Sequence, residues 1–263
     1  MRVRVPLADL LASPGGRLER QYAFGEAMDV LEADGAWRRV RPARDGLLGW
    51  VRADALEDSA GKAPTHRVAT LSAHLYPSPD IKVPPVMRLP FGARLAVGEG
   101  ASEDGPAGGG STAFLRAGGG YVPRAQLRSL DAHDADPVKV AERFLGVPYL
   151  WGGDGPDGID CSGLVQAALL ACGIPCPADS DRQEAAFGEP PDGVEDAPRG
   201  ALIFWDGHVA MSRGDGTMIH ANAGAMAVSV EGIAAAVARI ERSGGGHPTA
   251  LGQPSPSPSP PPG

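Results

Sequence analysis

Hydrophobic and polar positions alternate with period two in short runs through the first half of the chain, as in Trp37-Arg38-Arg39-Val40-Arg41. Glycine and proline break these runs, so the pattern predicts short strands joined by turns. The period changes at Asp136. There Asp136 suits a helix cap, Pro137 the first helical position and Gly146 the exit, while Val138, Ala141, Phe144 and Leu145 recur at helical spacing. A second helix is predicted over 162–172, with Leu164, Val165, Ala168 and Leu169 as its apolar stripe and Gly173 ending it. After Pro198 period two returns, predicting strands near 201–205, 208–212, 217–222 and 225–230. Strands, then helices, then an antiparallel sheet indicate small all-β modules followed by an α+β domain.

The all-β half repeats itself weakly. Phe24-Gly25-Glu26 and its sequel reappear as Phe91-Gly92-Ala93, and Gly49-Trp50-Val51 reappears as Gly120-Tyr121-Val122, at offsets of 67 and 71 residues. An insertion near 102–112 accounts for most of the difference. Two β units over 1–60 and 65–130 follow, then a polar joint at 131–136, an α+β domain over 136–242 and a tail over 243–263. The tail alternates Pro and Ser from Gly252 onward and is expected to be disordered. The β units resemble bacterial SH3-like domains, whose last strand often carries a Gly-aromatic-Val element.

Composition narrows the function classes. The chain has 263 residues with 37 glycines and 26 prolines, a share too high for a helical bundle. A net charge of −8 argues against an electrostatic nucleic-acid binder. No run of about 18 apolar residues is present to span a membrane. The N-terminus has basic residues but no sustained apolar core and no small-residue cleavage site, so a cytoplasmic protein is expected. Cys161, Cys172 and Cys176 are too few for four-ligand zinc and odd in number, so neither a metal site nor a disulfide framework is expected.

The chemistry concentrates around Cys161. It falls in the first turn of the second predicted helix, where unpaired backbone N–H groups and the helix dipole favour thiolate over thiol. Cys172 is three turns further on, at a packing position, and Cys176 lies between Pro175 and Pro177. A thiolate nucleophile requires an imidazole as base and later acid. His208 follows Asp206-Gly207 and opens one strand; His220 lies on the next. A turn centred on Gly214 would set the two directly opposite each other, about 5 Å apart at Cβ. Taken singly, each histidine reads as an ordinary polar residue; together on one hairpin face, they read as base (His208) and orienting group (His220).

Tyr149-Leu150-Trp151-Gly152-Gly153, Asp160-Cys161-Ser162-Gly163, Gly207-His208-Val209 and His220 resemble, in order, the motifs of the NlpC/P60 family of papain-like cell-wall cysteine peptidases. The resemblance implies two SH3-like barrels followed by an α+β papain-like catalytic domain, with Cys161 as nucleophile, His208 as base and His220 as third residue. It implies no cofactor, and Tyr149 would help stabilise the oxyanion. With SH3-like modules in front, the chain is similar to γ-D-glutamyl-L-diamino-acid endopeptidases of the dipeptidyl-peptidase VI type. Those enzymes cut free murein peptides with an N-terminal L-Ala during cell-wall recycling. By that resemblance Asp160, Ser162, Ser180 and Glu19 would contact substrate. Bland alternatives stand beside these roles: Asp160 as a helix cap and Glu19 as a solvated charge.

One departure is visible. Where relatives place a tyrosine in the Gly-x-x-Gly-Trp turn, this chain has Leu47 and Leu48, so amine recognition would fall to another residue such as Tyr76. A secreted endopeptidase acting on intact peptidoglycan, a non-catalytic peptidoglycan-binding protein and an acyltransferase on the same scaffold stay open.

Overall fold

The computed structural model describes residues 1–58, 61–98 and 113–255. Two compact units emerge: Met1–Ala132 with Asp154–Pro156, and His133–Gly153 with 157–263. The expected insertion at 102–112 lies outside the described residues.

The first unit is strand-rich and holds two apolar clusters. Around the first cluster runs a five-stranded antiparallel sheet, in the order Leu18–Ala23, Leu7–Leu11, Gly49–Arg52, Trp37–Pro42, Met28–Asp34. Val3, Leu10, Tyr22, Met28, Val40 and Val51 are buried beneath it. Around the second, His66–Val68 pairs with Arg94–Leu95 and Leu127–Ser129, beside the hairpins Ser72–Leu75/Met87–Pro90 and Phe114–Ala117/Gly120–Pro123. The repeated segments match in conformation: Gly49–Arg52 and Gly120–Pro123 are strands, each followed by a 3₁₀ turn and a short strand. The paired glycines match as well, Gly25 at φ +80 and Gly92 at φ +78. Gly25 has a second constraint, since a Cβ there would sit 2.0 Å from the Arg94 carbonyl oxygen.

A buried ion pair runs through this unit. Arg44 donates from Nη1 to Asp154 Oδ2 at 2.7 Å and from Nε to Asp45 Oδ2 at 3.4 Å, while its guanidinium lies 4.7 Å over the Tyr22 ring. The Tyr22 hydroxyl donates to Asp45 at 2.8 Å, and burial with that neighbouring carboxylate pushes the phenol well above its ordinary range.

The second unit is a six-stranded antiparallel sheet with helices. Its strands are β1 (Gly188–Glu189), β2 (Leu202–Trp205), β3 (His208–Ser212), β4 (Thr217–Asn222), β5 (Ala227–Gly232) and β6 (Ala250–Gly252), in the order β1-β6-β2-β3-β4-β5. Its helices are α1 (Pro137–Ala141), α2 (Cys161–Ala171), α3 (Ser180–Phe187) and α4 (Ile233–Arg242). The helix starts follow from sequence: Asp136 accepts from the N–H groups of Val138 and Lys139, with Pro137 in the first turn. Helix α2 packs on β3 and β4, and Leu164, Val165, Ala168 and Leu169 are all buried. Among the described residues no helix is long and apolar enough to cross a membrane.

Two sequence expectations are corrected here, and one helix is added. The chain after 242 is not all tail, because β6 lies inside the sheet, with Leu251 opposite Ile203 and Glu189. Three residues are too few to show a period, and the surrounding Gly and Pro hid the strand. The expected disorder of the last residues, 256–263, lies outside the described residues. The strand expected at 225–230 is Ala227–Gly232, because Asn222 Oδ1 accepts from Ala225 N–H at 2.7 Å and holds a turn that ends at Met226, φ +50. Helix α3, polar in sequence, had no apolar stripe to reveal it.

Candidate active site

Cys161 is the first residue of α2 and is buried. Its position is set by Asp160, the helix cap, whose Oδ1 accepts from Gly163 N–H at 2.6 Å and from the Ser162 hydroxyl at 3.2 Å. Asp160 Oδ2 accepts from Gly152 N–H at 2.8 Å, so the same carboxylate ties the Trp-Gly-Gly loop to the helix start. Gly153 is required within that loop: a Cβ would stand 2.5 Å from the Gly158 carbonyl oxygen. Tyr149 is half-buried, its N–H bound to the Met226 carbonyl at 2.9 Å and its backbone bridged to Ile159, two residues before the cysteine. Ser162 is buried, and its carbonyl accepts from Gln183 Nε2 at 2.9 Å. Cys172 and Cys176 are buried and lie outside any disulfide.

The two histidines meet, by a different register from the one expected. In the β3–β4 ladder Met211 pairs with Ile219 and Ser212 with Met218, so the hairpin turns about Asp215 instead of Gly214. The Asp215 side chain accepts from Thr217 N–H at 3.1 Å, and glycines at φ +77 and +76 flank it. That is a shift of two along the strand, which keeps every side chain on its face. His208 and His220 become diagonal neighbours, still within reach across an antiparallel ladder. His208 Nε2 and His220 Nδ1 are 2.9 Å apart, with ring centroids 5.2 Å apart.

Their surroundings hold both rings neutral. Burial comes first, with the charge of the other imidazole and of Arg239 adding to it and Glu231 opposing; His208 is held down to about 3. His220, almost wholly buried, is held down to about 4, again chiefly by burial. Trp205, opposite His208 in the ladder, covers it with ring centroids 5.8 Å apart.

Sequence reading missed the residues beyond His220. Asn222 Nδ2 is 3.1 Å from His220 Nε2, and Glu231 Oε2 is 3.5 Å from the same nitrogen. Glu231 is held by Arg239 of α4 through bonds of 2.9 and 2.7 Å. Period two carries the signal, since Asn222 follows His220 by two and Glu231 follows Ser229, its cross-strand partner, by two.

The remaining candidates are more scattered. Ser180 is the half-buried first residue of α3. Glu19 is in the first unit, on the strand Leu18–Ala23, paired to Arg17 at 2.7 Å. Leu47 packs against the first apolar cluster there, and Tyr76 is paired through its backbone to Tyr121 at 2.8 Å in both directions.

A thiol at a helix N-terminus and a hydrogen-bonded imidazole pair, on elements packed together, are the groups that a cysteine peptidase uses. The family model described as NlpC/P60 family matches residues 146–239, and that described as bacterial dipeptidyl-peptidase SH3 domain matches 10–56. A "Gamma-D-glutamyl-L-lysine dipeptidyl-peptidase" of Bacillus cereus is 30% identical over 78% of this chain and 67% of its own. "Peptidoglycan endopeptidase RipB" of Mycobacterium tuberculosis is 33% identical over 54% of this chain and 64% of its own. A solved NlpC/P60 family protein from Bacillus cereus shares the fold, with a TM-score of 0.75 over 96% of this chain and 98% of that one, at 22% identity. The chain belongs to the NlpC/P60 family.

Proposed function

We propose that this peptidase cuts the bond between γ-D-Glu and the following diamino acid in free murein peptides that begin with L-Ala, in cell-wall peptide recycling. The observation that carries the catalytic part is the 2.9 Å contact between His208 Nε2 and His220 Nδ1, which occupies one nitrogen of His208 and leaves Nδ1 for the nucleophile. The substrate part rests on the relative from Bacillus cereus, whose name specifies γ-D-glutamyl-L-lysine.

In this reading His208 Nδ1 takes the proton of Cys161, and the thiolate attacks the γ-carbonyl. Tyr149 and backbone N–H groups at the start of α2 stabilise the oxyanion. The proton passes from His208 to the departing amine, leaving a thioester. Water, activated by His208, hydrolyses the thioester and frees the thiol. Asp160 and Ser162, engaged with each other and the helix start, shape the site, and Ser180 is assigned to substrate. The second β cluster is a diverged copy of the SH3 module, supported by the repeated strand and turn conformations. Three buried cysteines outside any disulfide suit a reducing, cytoplasmic setting.

The alternative, cleavage of intact peptidoglycan, draws support from the likeness to RipB. A panel of L-Ala-γ-D-Glu-L-Lys, L-Ala-γ-D-Glu-meso-diaminopimelate and their N-acetylated forms separates the two. Free peptides are expected to release L-Ala-D-Glu, with acetylation slowing the reaction about 100-fold or more. Equal rates on acetylated peptides, or release of peptides from intact sacculi, would overturn the free-peptide reading.

A further inference from the structure

The nitrogen of His220 that faces away from His208 has two neighbours with opposite demands. Asn222 presents Nδ2, a donor, at 3.1 Å, and its amide is not free to turn over. Its Oδ1 accepts from Ala225 N–H at 2.7 Å, and Nδ2 also donates to Ser229 Oγ at 2.9 Å. Glu231 presents a carboxylate oxygen, an acceptor, at 3.5 Å from the same Nε2. Asn222 therefore favours a lone pair on His220 Nε2, and Glu231 favours a proton there.

The choice reaches His208. With its proton on Nε2, His220 offers a lone pair from Nδ1, and His208 must donate its own Nε2–H across the 2.9 Å contact. His208 Nδ1 is then an acceptor, as a base must be. With the proton on His220 Nδ1 the order reverses, and His208 Nδ1 carries a hydrogen.

We propose that Glu231, clamped by Arg239, is a positioning residue that keeps the His220 proton on Nε2 and so leaves His208 Nδ1 basic. The proposal rests on the assignment of His208 as base to Cys161. No proton is gained or lost overall: the thiol proton moves to His208 Nδ1, and those on the two Nε2 atoms stay shared with His220 and Glu231. Arg239 holds both Glu231 oxygens, which fixes the carboxylate and moderates its charge.

The charged groups acting on the pair are Glu231 from β5 and Arg239 from α4, with opposite signs. Helix α2, packed on the same strands, brings Cys161; α3, packed on β3, turns Asp181 and Arg182 to solvent and keeps Glu184 half-buried.

The test is nitrogen-15 spectroscopy of the imidazoles in the full chain, which distinguishes Nε2–H from Nδ1–H, alongside turnover of L-Ala-γ-D-Glu-L-Lys. Wild type is expected to show His220 as the Nε2–H form. Glu231→Gln, with its amide oxygen taken by Arg239, is expected to show the Nδ1–H form and to lose about 100-fold in kcat. Glu231→Asp is expected to keep the Nε2–H form and guards against a simple folding defect. The imidazole titrations should move down about one pH unit in Glu231→Gln and up about one in Arg239→Gln. An unchanged His220 tautomer in Glu231→Gln, or an Nδ1–H form in wild type, would overturn the proposal. Wild-type turnover by His208→Ala would instead overturn the base assignment on which it rests.

Discussion

His208 Nε2 and His220 Nδ1 form a 2.9 Å contact although the two residues are diagonal, not opposite, in their ladder. Diagonal neighbours in an antiparallel ladder are about 7–8 Å apart, still within reach of two aromatic rings. Removing either ring should therefore affect chemistry and leave substrate binding largely intact. His208→Ala is expected to lower kcat by about 10⁴-fold and His220→Ala by about 10²-fold, with KM little changed. Steady-state kinetics on the preferred free peptide checks both.

The same burial that holds the imidazoles neutral makes stability depend on pH. Both folded values, about 3 for His208 and about 4 for His220, lie below the ordinary value of 6.5. Below 6.5 the unfolded chain takes up protons that the folded one refuses, so stability is full above that value and falls toward pH 4. Thermal midpoints measured from pH 7.5 to pH 4 should fall through this window. His220→Gln should flatten the decline, and an identical slope in that variant would contradict the assignment.

In the first unit, Arg44 is almost fully buried and joins Asp154 and Asp45. Arg44→Met would leave buried carboxylates without their cation, and is expected to cost about 3–5 kcal/mol in urea unfolding of that unit. Arg52, in an exposed pair with Asp54, is the comparison: Arg52→Met should leave the urea midpoint nearly unchanged, because solvent screens that pair.

Asp160 serves three donors at the start of α2. Asp160→Ala is expected to cost about 1–3 kcal/mol and to lower kcat, because Cys161 loses the cap that fixes its helix turn. Asp160→Asn, which keeps the two acceptor positions on one oxygen, should retain more of both. Equal stability of the alanine variant and wild type would show that the cap is dispensable.

Much of the second unit was legible in the sequence because its rules are local. Asp136 and Pro137 mark the start of α1, although the α-helix ends at Ala141 and a 3₁₀ turn at Glu142–Phe144 takes its place before Gly146; Asp160 caps α2, which ends at Ala171, two residues before Gly173. The histidine pair was legible for a sturdier reason: strand faces depend on parity, so a shift of two in register changed the partners but not the face. What escaped depended on neighbours distant in sequence. Strand β6 is three residues long and is defined only by the strands on either side of it. Glu231 joins the site only when β5 folds beside His220, its parity with Ser229 being the one local hint, and Arg239 only when α4 packs there as well.

The account stands most directly on the chemistry of Cys161. Mass analysis of L-Ala-γ-D-Glu-L-Lys and L-Ala-γ-D-Glu-meso-diaminopimelate incubated with wild type and with Cys161→Ala gives the measurement. Wild type should release L-Ala-D-Glu and the free diamino acid, while Cys161→Ala, with His208 and His220 intact, should release neither. Release of both products by the alanine variant at the wild-type rate, or cleavage by wild type at a different bond, would contradict it.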